Sequence, residues 1–104
     1  MQFDHVFQLP TRVHGQWFLI LARASDGSHP RLGMAFSKRV IRTAVSRARL
    51  KRLVRESFRL KREDLPIVDI VVLARKGKSL PKDNAALRAD LQEMWGRLTA
   101  LCVK

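Results

Sequence analysis

The chain has 104 residues, enough for one domain (1–104) with a single hydrophobic core. Its 21 Lys and Arg residues against nine Asp and Glu residues give a net charge of +12, which indicates a polyanionic partner such as nucleic acid. A single cysteine excludes an intrachain disulfide and a zinc site built from several cysteines. The sequence also lacks a signal-peptide pattern and any apolar run of about 18 residues. We therefore expect a soluble, cytoplasmic protein with no membrane partner.

The N-terminal third predicts one short helix followed by strands. Phe3, Val6 and Phe7 recur at helical spacing, and Pro10 ends that helix. Two segments rich in aromatic and aliphatic residues then predict antiparallel strands separated by a turn, and a further short strand before them is an option. In order, these segments are the helix at 2–8, the optional strand at 11–14, the strand at 16–23, the turn at 24–30 and the strand at 31–37.

The rest of the chain predicts a helix, a strand and a second helix. Residues 43–62 contain neither Gly nor Pro and predict a helix that ends before Pro66. Residues 67–74 are almost continuously apolar, which predicts a central strand covered on both faces, with Asp69 as its one polar residue. A basic loop precedes a final helix at 83–102. One face of that helix is apolar and consists of Leu87, Leu91, Met94, Leu98 and Leu101, with Trp95 at its border.

The element order is therefore αββαβα, or αβββαβα with the optional strand. Such an order predicts an α+β fold, a sandwich in which helices pack against a small mixed sheet.

Most of the charge lies between Lys38 and Arg62. This stretch holds eleven of the 21 basic residues and one acid, Glu56, so it carries +10 of the total charge. On a helical wheel, one arc is apolar and is predicted to face the sheet; it contains Leu50, Leu53, Val54, Ser57, Phe58 and Leu60. The opposite arc is basic, with Ala44 and Ala48 at its centre and Arg47 and Arg49 at its two borders. A phosphate backbone could therefore approach the helix closely at the alanines.

A solvated helix face usually alternates Glu with Lys, but here Lys51, Arg55 and Arg59 follow one another at i,i+4 spacing. Such like-charge pairs each cost about 0.2–0.5 kcal/mol in a free helix. The centre of the face has no Asn, Gln or Ser to read DNA bases, which favours contact with the backbone of folded RNA. The candidate RNA-binding residues are Lys38, Arg39, Arg42, Arg47, Arg49, Lys51, Arg52, Arg55, Arg59 and Arg62.

At these residues the sequence resembles the protein subunit of bacterial ribonuclease P. The signature of that family reads Arg-Asn-Arg-(apolar)-Lys-Arg-x-x-Arg-Glu-x-Phe-Arg, where x is any residue. The chain matches it from Arg47 to Arg59, except that Ala48 replaces the asparagine. Similarity extends to the FDHVF segment at 3–7, the HPRLGMAFSKRV segment at 29–40 and the LPIVDIVVLARKG segment at 65–77, so it covers nearly the whole chain.

The resemblance implies a ribonucleoprotein endonuclease that removes the 5′ leader from precursor tRNA. In that family the RNA subunit is catalytic and uses Mg²⁺, so no catalytic residue, metal site or organic cofactor is expected in the protein, which is expected to be monomeric. The basic helix would face the catalytic RNA. A cleft between the sheet and the first helix would hold the single-stranded leader, with Phe3, Phe7 and Phe18 as candidate contacts. Core packing is the alternative for all three.

The resemblance also implies a fold like domain 2 of ribosomal protein S5, with a left-handed βαβ crossover against the usual right-handed rule. The residues themselves argue against a nuclease site within the protein. The three histidines, His5, His14 and His29, show no ligand spacing, and we expect Asp69 to be hydrogen-bonded for structural reasons. Glu56 is expected to pair with Arg52. Two other interpretations are a structural or ribosomal RNA-binding protein without a leader site, and a DNA-binding regulator.

Overall fold

The computed structural model describes residues 10–102, except for the side chain of Cys102, and this part contains four strands and two α-helices. The strands are β1 (Thr11–His14), β2 (Phe18–Ala24), β3 (Arg31–Ala35) and β4 (Val68–Ala74). The helices are α1 (Ala44–Lys61), which continues into a 3₁₀ turn (Arg62–Asp64), and α2 (Asn84–Cys102). The helix predicted at 2–8 lies outside the described residues. The other predicted elements are present, and the optional strand exists as β1.

The sheet is mixed, with the strand order β1-β2-β4-β3. β1 pairs antiparallel with β2, and β2 pairs antiparallel with β4, whereas β3 pairs parallel with β4. This order confirms the α+β fold and the central position of β4. β2 and β3 run in opposite directions, as predicted, but they are not neighbours because β4 lies between them. α1 connects the adjacent parallel strands β3 and β4, and the left-handed path of this crossover stays a prediction.

The two faces of the sheet differ because successive residues of a strand point to opposite sides. One face packs against both helices and forms the main core. Its members include Phe18, Ile20, Ile70 and Val72 from the sheet, Leu50, Leu53 and Val54 from α1, and Leu87, Leu91, Met94 and Leu98 from α2. The other face, here called the distal face, carries a separate small cluster centred on Leu21 and Val71. β4 is therefore buried on both sides, which confirms the prediction from its apolar run.

α1 and α2 are joined by one aromatic side chain. The Trp95 indole Nε1 donates a hydrogen bond of 2.7 Å to Ser57 Oγ, and the Trp95 ring meets the Phe58 ring edge-on at 6.1 Å between centroids. Trp95 is buried, as expected of a residue at the border of the apolar face. The predictions for Leu60 and Leu101 are wrong, because these side chains are 77% and 59% exposed. Both lie in the last turn of their helices, and Leu101 lines an open pocket beside Ala22 and Val68 of the sheet.

Asp90 organises the turn between β1 and β2. It is buried on α2, and its two carboxylate oxygens accept hydrogen bonds from the backbone N–H groups of Gln16 (2.8 Å) and Trp17 (2.9 Å). Gly15 fits beside it because a Cβ there would overlap the Met94 sulfur and the carboxylate itself. The predicted apolar face of α2 did not include this acid. The position of Asp90 in the sequence nevertheless indicates that it faces the core, because it lies three residues after Leu87 on the same side of the helix.

We expect Asp90→Ala to lower the free energy of unfolding by about 1–3 kcal/mol, because two partly buried N–H groups lose their acceptor. Thermal or urea unfolding followed by circular dichroism measures this change. Glu93→Ala is the matched control, since Glu93 is exposed on the same helix. This substitution should change the free energy of unfolding by less than about 0.5 kcal/mol. Equal stability of the two variants would contradict a structural role for Asp90.

Candidate nucleic-acid interface

The basic helix begins at a well-defined cap. Thr43 has extended backbone angles, and its hydroxyl accepts a hydrogen bond of 3.1 Å from the Ser46 N–H. The last turn carries Arg59 and Lys61, whose charge is favourable near the carbonyl end of a helix. Because Leu50, Leu53 and Val54 are buried against the sheet, the opposite side of α1 must face outward.

A shallow groove of about 490 Å³ runs along this outward side. It is lined by Ala48, Lys51, Arg52, Arg55, Glu56 and Arg59. The small side chain predicted to lie between arginines is therefore found there, at Ala48. Ala44, the other predicted alanine, is exposed but does not line the groove. The groove, defined by these six residues, is called the α1 groove below.

The α1 groove carries an excess of unbalanced positive charge. Within residues 10–102, none of its four cations forms an ion pair, and the expected pair between Glu56 and Arg52 is absent. The net charge along the groove is therefore not compensated inside the described part of the protein. Phosphate groups are the ligands that relieve such repulsion most directly.

The ten candidate RNA-binding residues fall into separate groups in the structure. Four line the α1 groove, namely Lys51, Arg52, Arg55 and Arg59. Four are exposed outside it, namely Lys38, Arg39 and Arg42 in the segment before α1 and Arg62 at the start of the 3₁₀ turn. The last two, Arg47 and Arg49, are only half-exposed and bind the protein itself.

Arg47 and Arg49 donate hydrogen bonds to opposite flanks of α1. The Arg47 guanidinium binds the carbonyl oxygens of Ile41 (2.7 Å) and Arg42 (3.2 Å) in the segment before the helix. The Arg49 guanidinium binds Asn84 Oδ1 (2.7 Å) and the carbonyl oxygens of Pro81 (2.7 Å) and Lys82 (3.2 Å) at the start of α2. Their predicted positions at the two borders of the basic arc agree with these contacts.

Phe18 does not lie at an open surface. It is fully buried on the helix-covered face of the sheet, where its ring lies 6.3 Å from that of Phe36. Its assignment as a leader contact is therefore corrected: it is a core residue, which was the alternative. Strand alternation places Phe18 and Ile20 among the core residues, whereas Leu19 and Leu21 point to the distal face. Phe3 and Phe7 lie outside the described residues.

The distal face combines an apolar centre with basic edges. The register aligns Arg12 with Leu21 and Val71, and His14 with Leu19 and Leu73. At the end of this face, a cleft of about 390 Å³ is lined by His14, Leu19, Leu73, Ala74, Arg75 and Lys76. Apolar surface bordered by cations is the combination that suits a single-stranded nucleic acid.

Asp69 is held on the distal face by a bidentate ion pair. Its carboxylate accepts hydrogen bonds from Arg31 Nε (2.7 Å) and from the second guanidinium nitrogen (2.8 Å), across the parallel pair β3 and β4. These hydrogen bonds raise the pKa of Arg31 above its ordinary value. The expectation that Asp69 is hydrogen-bonded for structural reasons is confirmed.

Neither a metal cluster nor a membrane segment is found in the described part. Within residues 10–102, no three His, Cys, Asp or Glu side chains lie close enough to hold a metal ion together. His14 and His29 are both exposed and lie in different segments. Over the same residues, neither helix has the length and apolar character needed to cross a membrane.

The chain is similar to proteins of one family. A family model described as Ribonuclease P matches residues 1–99. The ribonuclease P protein component of Chromohalobacter salexigens is 53% identical over 97 residues, which cover 92% of this chain and 75% of that protein. The corresponding Escherichia coli protein is 45% identical over 96 residues, covering 92% and 80%. The solved structure of the RNase P protein from Thermotoga maritima with 1-(4-fluorophenyl)-2-thiourea superposes with a TM-score of 0.80 at 30% identity, covering 91% and 92%.

We expect alanine at Arg52, Arg55 or Arg59 to weaken binding to a bacterial ribonuclease P RNA. Each lost phosphate contact should reduce the slope of log affinity against log salt concentration by about 0.7–0.9. Filter binding at several salt concentrations measures the slope. Arg88→Ala removes an exposed arginine of α2 outside the α1 groove and serves as the matched control. If the salt slope falls no further in any of the three variants than in Arg88→Ala, the RNA binds elsewhere on the protein.

Proposed function

Because the chain belongs to the ribonuclease P protein family, we propose that it binds the catalytic RNA of ribonuclease P through the α1 groove and assists removal of the 5′ leader from precursor tRNA. The observation that carries this proposal is the set of four cations around Ala48, none of which is paired with an acid within residues 10–102. A ribonucleoprotein endonuclease needs such a surface, since its protein must bind RNA without supplying the chemistry.

The contribution of the protein to the reaction is electrostatic. Two RNA molecules that approach each other repel through their phosphates, and each arginine placed between them reduces that repulsion. Arginine suits this purpose because its guanidinium stays charged and binds phosphate in a bidentate manner. In this proposal the Mg²⁺ ions of the reaction are held by the RNA. Proton transfer and nucleophile activation are likewise assigned to the RNA.

The leader is proposed to lie on the distal face. Leu19 and Leu73, which are only partly buried, offer an apolar surface to the bases, and Arg12 and His14 lie along one edge of it where phosphates would run. Arg75 and Lys76 add positive charge at the cleft that ends the face. Phe3 and Phe7 stay the candidates for stacking, because Phe18 is directed to the opposite side of the sheet.

A second candidate function is that of a structural RNA-binding protein without a leader site. The α1 groove alone would support it, whereas the basic edge of the distal face would then have no ligand. A ribonucleoprotein with both surfaces accounts for more of the exposed positive charge.

Stimulation of leader cleavage tests the proposed function. Adding the purified protein to a bacterial ribonuclease P RNA and precursor tRNA at low Mg²⁺ should accelerate release of the 5′ leader on a denaturing gel. The gain should shrink as Mg²⁺ rises, because the metal then screens the same phosphates. Bovine serum albumin and an unrelated basic RNA-binding protein are the controls. Stimulation no greater than that by the unrelated basic protein would favour the structural RNA-binding function.

Binding of precursor tRNA tests the distal face separately. Arg12→Ala should weaken the affinity of the reconstituted holoenzyme for precursor tRNA more than for mature tRNA, because only the precursor has a leader. We expect the same asymmetry for Phe7→Ala. Arg88→Ala, which removes an exposed arginine from α2, should leave the ratio of the two affinities unchanged. If Arg12→Ala lowers the affinities for precursor and mature tRNA equally, Arg12 is not part of the leader site.

A further inference from the structure

We propose that Arg47 and Arg49 are positioning residues that hold the RNA-binding surface in shape, and that only the residue between them, Ala48, faces the RNA. This inference rests on the proposed function. It reassigns two of the ten candidate contacts, since both arginines lie in the segment of highest charge but donate their hydrogen bonds to the protein.

Arg49 is fixed by three acceptors from one short segment. Its Nε–H donates to Asn84 Oδ1, and one terminal nitrogen donates to the carbonyl oxygens of Pro81 and Lys82. Three of the five N–H donors of the guanidinium are thus engaged. A planar group held on two sides cannot turn toward a phosphate without breaking these bonds, so Arg49 joins α1 to the loop that precedes α2.

Arg47 performs the corresponding task on the other flank of α1. Its terminal nitrogen donates to the carbonyl oxygens of Ile41 and Arg42, six and five residues earlier in the chain. Those carbonyls belong to the segment that carries Lys38, Arg39 and Arg42. The bond therefore fixes the entry of the chain into α1 and, with it, the position of three exposed cations relative to the helix.

The order Arg-Ala-Arg has a simple geometric consequence. Successive helical residues are about 100° apart, so residues 47 and 49 point to opposite flanks while residue 48 points between them. The structure agrees, because Ala48 lines the α1 groove and neither arginine does. The two arginines thus set the position of the groove, and the side chain at position 48 sets how closely a phosphate backbone can approach the helix.

The acceptor Asn84 allows a test without removing any charge. Asn84→Ala deletes one partner of Arg49, keeps every cation, and should fold, because alanine is favourable in a helix and the Asp83 carboxylate still accepts a hydrogen bond from the Ala85 N–H. The experiment compares wild type, Asn84→Ala, Arg49→Ala, the double variant and Arg52→Ala. Each protein is titrated with ribonuclease P RNA over a range of salt concentrations, well below its midpoint of thermal unfolding.

We expect Asn84→Ala to weaken RNA binding by about three- to tenfold with an unchanged salt slope, because it alters geometry and not charge. Arg49→Ala should weaken binding with a smaller loss of slope than Arg52→Ala. The double variant should bind no more weakly than Arg49→Ala alone, since both changes break the same contact.

Four results separate the possible failures. Wild-type affinity in Asn84→Ala would overturn the inference. A slope in Arg49→Ala that falls as far as in Arg52→Ala would also overturn it and make Arg49 a direct phosphate contact. Additive losses in the double variant would overturn it as well. If wild type itself neither binds the RNA nor stimulates leader cleavage, the proposed function fails and the inference falls with it.

Discussion

Burial of the apolar side of α1 against the sheet is the constraint on which the proposed RNA-binding surface depends. Leu50, Leu53 and Val54 are almost completely removed from water, and together they contribute roughly 5–9 kcal/mol of hydrophobic free energy at about 1.5–3 kcal/mol for each side chain. Because these residues face the sheet, the helical period places Ala48, Arg52, Arg55 and Arg59 on the outward side of α1. The same packing that stabilises the fold therefore brings the groove cations together at the surface.

This arrangement has an electrostatic cost that the free protein bears without compensation. The groove cations repel one another along the helix, and Glu56 forms no ion pair with them within residues 10–102. A few tenths of a kcal/mol for each like-charge pair is small against the burial of the apolar side, so α1 stays folded despite its charge. Phosphates bound in the groove would offset this repulsion, and the release of counterions from the RNA would add a favourable contribution to binding. The stability of the helix and its proposed affinity for RNA thus depend on opposite sides of one element.

The sequence predicted those features that depend on one segment at a time. The period of α1 was sufficient to place Ala48 in a groove between cations, and the apolar run at 67–74 was sufficient to place β4 at the centre of the sheet. Features that join distant segments were not predictable. The alternation of β2 shows that Phe18 and Leu19 point to opposite sides, but which side the helices cover depends on the whole topology. The acceptors of Arg49 lie 32–35 residues away, so its charge suggested an RNA contact where the structure has a contact within the protein.

The positions of the two candidate RNA surfaces bear on how many RNA strands the protein contacts. The α1 groove lies on the outer side of a helix that covers one face of the sheet, and the distal face is the reverse of that sheet. The two surfaces are thus separated by the helix layer and the sheet and point in different directions. A rigid RNA helix bound in the α1 groove cannot also follow the distal face, so a ligand there must be a second strand or a flexible extension. A single-stranded leader meets that requirement, since it can bend around the edge formed by β1, where Arg12 and His14 lie.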